Sequence, residues 1–303
     1  MSARVNPERD DPYPTRLVAG AALARPIRRH TPVLRGRPDA LVRATGRMDA
    51  AHRYETDGFL FLPRFFRDDE VAAWHEEASR LEGMCRETRP DEAFFERADG
   101  SLRSLFGVPR FSGVVADLVR DARLTAIVAA ILDDAHYLHQ VRLNYKPALT
   151  GTGFYWHSDF ETWHAEDGMP DMHAVSVSIA LTDNTAFNGS LMLIPGSHTT
   201  FVPCLGATPE DHYVESLVEQ KVGTPAAASL AALQHAGGIE MPVGPAGSLV
   251  VFDCNTMHGS YGNLSTHART NLFLVYNARS NALCAPYAAA RPRPRFIAER
   301  PAP

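Results

Sequence analysis

The sequence predicts a mainly β protein, a double-sheet jelly roll with flanking helices, on three observations. Short alternating or apolar runs dominate from Tyr137 onward and are separated by Gly, Pro and Asn turns. Two stretches ahead of them carry apolar residues at helical spacing instead. The length, 303 residues, suits one β-barrel with helical additions and can bury a substantial core.

Residues 1 to about 50 are rich in Arg and Pro, with little apolar periodicity, and are expected as an extended arm. Glu8, Asp10 and Asp11 argue against an organelle-targeting peptide, because such peptides are poor in acids. Residues 51–303 are expected as a single domain. Gly58 to Pro63 reads as its first strand, followed by a helix capped by Asp68 and running to about Leu81, with Val71, Trp74, Ala78 and Leu81 on one face. A second helix is expected from about Val115 to Leu132, where Leu118, Val119, Ala122, Ile127, Val128 and Ile131 form a broad apolar stripe.

Strand runs then follow at His139 to Lys146, Val175 to Leu181, Ser190 to Ile194, Leu249 to Phe252 and Leu272 to Tyr276. An Ala-rich, polar insertion at about 205–240 interrupts them. It is long enough for one or two short helices and is expected as a partly mobile segment near a site mouth, with Gly223, Gly237 and Gly238 as hinges.

Composition narrows the partners. Net charge is −5 and no basic block covers the core, which argues against nucleic acid and anionic membrane. Cys85, Cys204, Cys254 and Cys284 are scattered without a C-x-x-C pair and read as reduced residues of a cytoplasmic protein. No apolar run reaches the roughly 18 residues of a membrane span, and no secretory h-region is present. A small soluble substrate fits best.

The chemistry is concentrated in His157-Ser158-Asp159, answered by His258 after the apolar run Gly247 to Asp253. Two neutral imidazoles and one carboxylate suit Fe(II) and leave coordination positions open for oxygen and substrate. In an extended segment His157 and Asp159 point to the same side, so one short run makes half a site. Zinc accepts the same donors, but the helical H-E-x-x-H of two-histidine zinc hydrolases is absent. Arg269, at the head of the run Thr270 to Tyr276, suits a guanidinium reaching back to a dicarboxylate beside the metal. Alternation along His139 to Lys146 puts Val141, Leu143 and Tyr145 on one side and Gln140, Arg142, Asn144 and Lys146 on the other. That polar face is either solvated or lines the barrel interior.

The run Gly151 to Pro170, GTGFYWHSDFETWHAEDGMP, resembles the signature of the ectoine hydroxylases, within the phytanoyl-CoA dioxygenase-like branch of Fe(II)/2-oxoglutarate oxygenases. Leu191 to His198, Pro209 to Tyr213, Phe252 to Asn255, Met257 to Ser260, Phe273 to Asn277 and Asp11 to Pro14 resemble that family too, so the likeness covers most of the chain. It implies a cupin-like double-stranded β-helix, Fe(II) held by His157, Asp159 and His258, 2-oxoglutarate and O2 as cosubstrates, and a homodimer.

The resemblance also implies that Gln140 contacts ectoine, that Lys146 helps bind 2-oxoglutarate, that Arg142 and Asn144 line the same pocket, and that Trp163 stabilises substrate with Thr162 and Phe273 nearby. Arg269 and Lys146 are alternatives for the distal carboxylate of 2-oxoglutarate. Ectoine is a cyclic amidine bearing a carboxylate, so Arg142 suits its carboxylate and Trp163 its cationic ring. Core packing is the plain alternative for Trp163 and Phe273. The implied reaction is hydroxylation of ring carbon C5 to 5-hydroxyectoine with release of succinate and CO2, and the retained Asp159 favours hydroxylation over halogenation. A related hydroxylase of another small amino acid derivative and a non-catalytic cupin-like binding protein are the alternatives.

Overall fold

In the computed structural model, which describes residues 10–16, 25–218 and 222–301, the apolar alternation resolves into antiparallel sheets. In chain order the elements are β1 (Ile27–Arg28), α1 (Pro38–Thr45), α2 (Ala50–Asp57), β2 (Phe59–Leu62), α3 (Asp68–Thr88), β3 (Ala93–Phe95), β4 (Leu102–Phe106), α4 (Gly113–Leu118), α5 (Ala122–Leu132) and β5 (His136–Lys146). There follow β6 (Phe154–His157), α6 (Asp159–Thr162), β7 (Ala174–Ala180), β8 (Met192–Leu193), β9 (Thr200–Phe201), α7 (Tyr213–Ser216), α8 (Ala227–Gly237), β10 (Leu249–Asp253), β11 (His258–Ser260) and β12 (Arg269–Ala278).

A seven-stranded sheet has the order β2-β10-β7-β12-β5-β4-β3, a three-stranded sheet the order β6-β11-β8, and β1 pairs with β9. Period-two alternation divides the large sheet cleanly. Val141, Leu143 and Tyr145 of β5, Val175, Val177 and Ile179 of β7, Leu249 and Val251 of β10, and Leu272, Leu274 and Tyr276 of β12 face one core with Val71, Ala78 and Leu81 of α3 and the apolar stripe of α5. The opposite face contributes Phe59, Val250, Phe252 and Phe273, which close on Leu191 and Leu193 beside and within β8 of the small sheet. Burial of each such large side chain is worth about 1.5–3 kcal/mol. Large sheet, small sheet and helical layer are the jelly-roll arrangement expected.

Several local expectations need correction. The stretch expected as an extended arm contains α1, started by Pro38 and ended by Gly46 with φ 68°, and Leu41 is fully buried. Sparse periodicity over so short a helix hid it. Asp68 is the first helical residue of α3, not its cap; Arg67 precedes it, and the Glu70 carboxylate accepts the Arg67 N–H at 3.0 Å. The single helix expected from Val115 to Leu132 is two, because Asp121 turns its carboxylate onto the Arg123 N–H at 2.8 Å and starts α5. Gly237 is a packing glycine: a Cβ there would lie 2.1 Å from the Pro195 carbonyl oxygen. Among the described residues no helix is long and apolar enough to cross a membrane.

Candidate active site

The small sheet sets the first half of the site. β6 ends and β11 begins on histidines, and the register pairs His258 directly with His157, their ring centroids 4.2 Å apart. Ser158 keeps extended backbone (φ −104°, ψ 128°), so Asp159 still emerges beside His157, although it opens α6 where a continuing strand was expected. Nε2 of His157 and of His258 lie 3.7 and 3.8 Å from Asp159 Oδ1, and one donor atom from each of the three falls within 4.8 Å of the others.

The far side of each ring is fixed by backbone. His157 Nδ1 sits 2.6 Å from the Tyr155 carbonyl oxygen and His258 Nδ1 2.9 Å from that of Thr256. Each Nδ1 thus carries the proton and each Nε2 keeps its lone pair for a ligand. His258 Nε2 is buried without a hydrogen-bond partner among the described residues. Burial, then the neighbouring His258, pushes His157 down to about 3, the neutral form a metal requires. Burial works to raise the Asp159 carboxyl, but both imidazoles and the Arg142 guanidinium outweigh it and hold it below its ordinary value. Ser176 Oγ donates to Asp159 Oδ2 at 3.1 Å. Two neutral imidazoles, one carboxylate and an orphaned Nε2 fit Fe(II).

The large sheet supplies the second half. Its β5–β12 ladder pairs Arg269 with Lys146, Asn271 with Asn144, Phe273 with Arg142 and Val275 with Gln140. The polar face of β5 therefore points between the sheets, which decides the alternative left open by the sequence. Gln140, Arg142, Thr162 and Trp163 share one cavity with His157 and Asp159. Gln140 Nε2 donates to the Ile297 carbonyl at 2.8 Å. Arg142 Nε has no hydrogen-bond partner among the described residues, and its guanidinium lies 5.0 Å from the Phe273 ring centroid.

Lys146, Asn144, Arg269 and Phe273 are buried along the same ladder but do not line that cavity. Lys146 Nζ donates to Ser260 Oγ at 2.9 Å and to the Tyr261 carbonyl oxygen. Burial, then Arg269 and Arg103, brings Lys146 down to about 6; burial alone brings Arg269 to about 10. Asn144 Oδ1 accepts from Ser104 Oγ at 2.9 Å. Phe273 is part of the inter-sheet apolar cluster, so its packing role is real. Trp163 is 2 % exposed, and its packing against Tyr13, Phe160 and Met169 accompanies, and does not exclude, its place on the cavity wall.

The insertion brings His212, Ser216, Leu217 and Val222 to the cavity, while residues 219–221 lie outside the described residues. Other residues at the site escaped the sequence reading. Arg103 of β4 stacks on Phe154 at 3.9 Å and donates to Glu96 and to the Gly153 carbonyl, each at 2.9 Å. Its signal would have been alternation within Leu102–Phe106. Ser260 follows by the same alternation from His258. Glu166 and Arg293 also line the cavity. Glu166 lies on a single π-turn, Trp163–Asp167, that no periodicity announces.

Comparison with known proteins agrees with this geometry. The profile of the phytanoyl-CoA dioxygenase (PhyH) family matches residues 54–271. The ectoine dioxygenase of Halomonas elongata is 49 % identical over 293 residues, 96 % of this chain and 86 % of its own. That of Nocardia farcinica is 45 % identical over 97 % of this chain and 95 % of its own. The crystal structure of EctD from S. alaskensis with 2-oxoglutarate and 5-hydroxyectoine superposes with a TM-score of 0.84 at 40 % identity, covering 97 % of this chain and 96 % of that one. The same enzyme with bound Fe gives a TM-score of 0.82. Family profile, sequence and superposed fold agree, and the chain belongs to the phytanoyl-CoA dioxygenase family.

Proposed function

We propose that this protein hydroxylates ectoine at ring carbon C5 to 5-hydroxyectoine, using 2-oxoglutarate and O2 with Fe(II). The observation that carries the reading is a two-histidine, one-carboxylate donor set, two of whose members, His157 and Asp159, line one cavity with Arg142, whose Nε has no hydrogen-bond partner among the described residues. The ectoine dioxygenases, 45–49 % identical over most of the chain, support the substrate. Bound iron supplies oxygen activation, coupled to loss of CO2 from 2-oxoglutarate to leave succinate.

The residues do the rest. His157, Asp159 and His258 hold the metal, with Asp159 kept ionised by the Arg142 guanidinium and the Ser176 hydroxyl. Lys146 and Arg269 form a paired cationic floor for the distal carboxylate of 2-oxoglutarate, with Asn144 beside them. Arg142 receives the ectoine carboxylate, Gln140 donates or accepts at the ring, and Trp163 gives the cationic ring a π face, flanked by Thr162 and Phe273. His212, Ser216, Leu217 and Val222 of the insertion border the cavity and limit water there.

The same reading places the enzyme in the cytoplasm as a homodimer making a compatible solute for stress protection. Four scattered cysteines without a C-x-x-C pair support a reducing compartment. The test is anaerobic loading with Fe(II), 2-oxoglutarate and ectoine, then oxygen, with succinate and hydroxyectoine quantified by mass spectrometry. Equal yields are expected. Succinate without hydroxyectoine would remove the substrate, and neither product from iron-loaded protein would remove the activity.

A further inference from the structure

A buried ion cluster assembled from three distant parts of the chain reaches the wall of the cavity through Glu166 and Arg293. Arg16 grips Glu161 with two arms, Nε to Oε1 at 2.7 Å and Nη2 to Oε2 at 2.9 Å. Arg293 grips Asp167 in the same two-armed way, with bonds of 2.9 and 2.5 Å. Each guanidinium is thereby committed to a carboxylate other than Glu166.

Glu166 is left with the remainder. Its Oε1 takes one bond from Arg16 Nη2 at 3.0 Å, and its Oε2 lies 3.9 Å from Arg293 Nε, beyond hydrogen-bond range. Glu166 is 3 % exposed and lines the cavity that holds His157, Asp159, Arg142 and Trp163. A buried carboxylate with an unspent oxygen is costly unless a donor completes it. Burial does raise the Glu166 carboxyl above its ordinary value despite Arg293 and Arg16.

Resting on the reading that ectoine is the substrate, we propose that Glu166 is a specificity residue that accepts an N–H of the cationic amidine ring. Arg142 and Glu166 then form a dipolar frame matched to a zwitterion, carboxylate toward one and amidinium toward the other. A neutral ring of the same size without an N–H would leave the Glu166 oxygen unpaired and be rejected for that reason. Arg16, which does not line the cavity, acts through Glu166 as a positioning residue, and Arg293 fixes the π-turn through Asp167.

The test is anaerobic calorimetry on the full chain loaded with Fe(II) and 2-oxoglutarate, titrated with ectoine and with oxane-2-carboxylate, a cyclic ether that keeps ring size and carboxylate but carries neither a ring cation nor a ring N–H. Wild type should prefer ectoine by about tenfold to a hundredfold, the scale of one charge-assisted hydrogen bond. Glu166→Gln should lose most of that preference by weakening ectoine and sparing the ether, with 2-oxoglutarate affinity unchanged. Equal loss for both ligands, or unchanged ectoine affinity in Glu166→Gln, would overturn the assignment. Equal affinity of wild type for the two ligands would overturn it without any variant. Wild type that binds no ectoine at all would overturn the substrate reading itself, and this proposal with it.

Discussion

Lys146 and Arg269 stand opposite each other in the β5–β12 ladder, two buried basic side chains 1 % and 2 % exposed. Arg269 Nε has no hydrogen-bond partner among the described residues. A charge on Lys146 would stand directly opposite that of Arg269 on one sheet face, which is destabilising unless something else compensates it. A dicarboxylate is that compensation, and the pair is expected to keep its geometry for cosubstrate at some cost to the empty protein.

Arg269→Ala should weaken 2-oxoglutarate binding by about a hundredfold, and Lys146→Met by about tenfold, since a guanidinium makes the bidentate contact and an ammonium a single point charge. Anaerobic titration of the Fe(II)–2-oxoglutarate absorption band reads both. The reverse order would make Lys146 the principal partner.

Lys146 also predicts a proton balance. Its folded value of about 6 lies below the ordinary 10.5, so the folded apo protein has released a proton that the unfolded chain keeps between those values. The sign follows: its contribution to stability is undiminished above pH 10.5, erodes as pH falls through that window, and changes no further below about 6. Binding of 2-oxoglutarate restores a negative neighbour and should draw up to one proton at pH 8. Calorimetry in buffers of different ionisation enthalpy should show that uptake in wild type and none in Lys146→Met.

Asp159→Ala should abolish hydroxyectoine formation and lower iron content by opening the donor set, whereas Trp163→Ala should keep iron and raise the ectoine KM by about tenfold. Metal analysis beside product assay separates the two. Turnover at the wild-type rate in Asp159→Ala would overturn the metal assignment.

Arg293→Ala strips the two-armed partner from Asp167 in a site where the guanidinium is 7 % exposed and the carboxylate 0 %. Leaving a buried carboxylate unpaired costs about 3–5 kcal/mol. Urea unfolding should show a loss of that size, while replacement of the exposed Arg37, whose partner Asp39 also bonds Arg43, should cost well under about 1 kcal/mol.

What the sequence disclosed follows from periodicity and short-range spacing. His157 and Asp159 were legible because one extended residue separates them, and Gln140 to Lys146 because a strand alternates. His258 came from the strand that precedes it. The ion cluster of Arg16, Glu166 and Arg293 was not legible, because a contact across more than a hundred positions leaves no local trace. The π-turn Trp163–Asp167 was hidden for a different reason: its five residues read equally well as the end of a helix. Asp121 could have been recognised as a cap, but the continuous apolar stripe around it was the stronger pattern.

The strand that completes the large sheet is β12, and it lies in the middle, between β7 and β5. Until residues 269–278 leave the ribosome, both neighbours present raw edges and neither half can close. Folding is therefore expected to wait for nearly the whole chain, with a slow rate set by these long-range pairings. The waiting nascent chain would be a client for chaperones, and truncations just short of Arg269 should aggregate where the full chain stays dispersed.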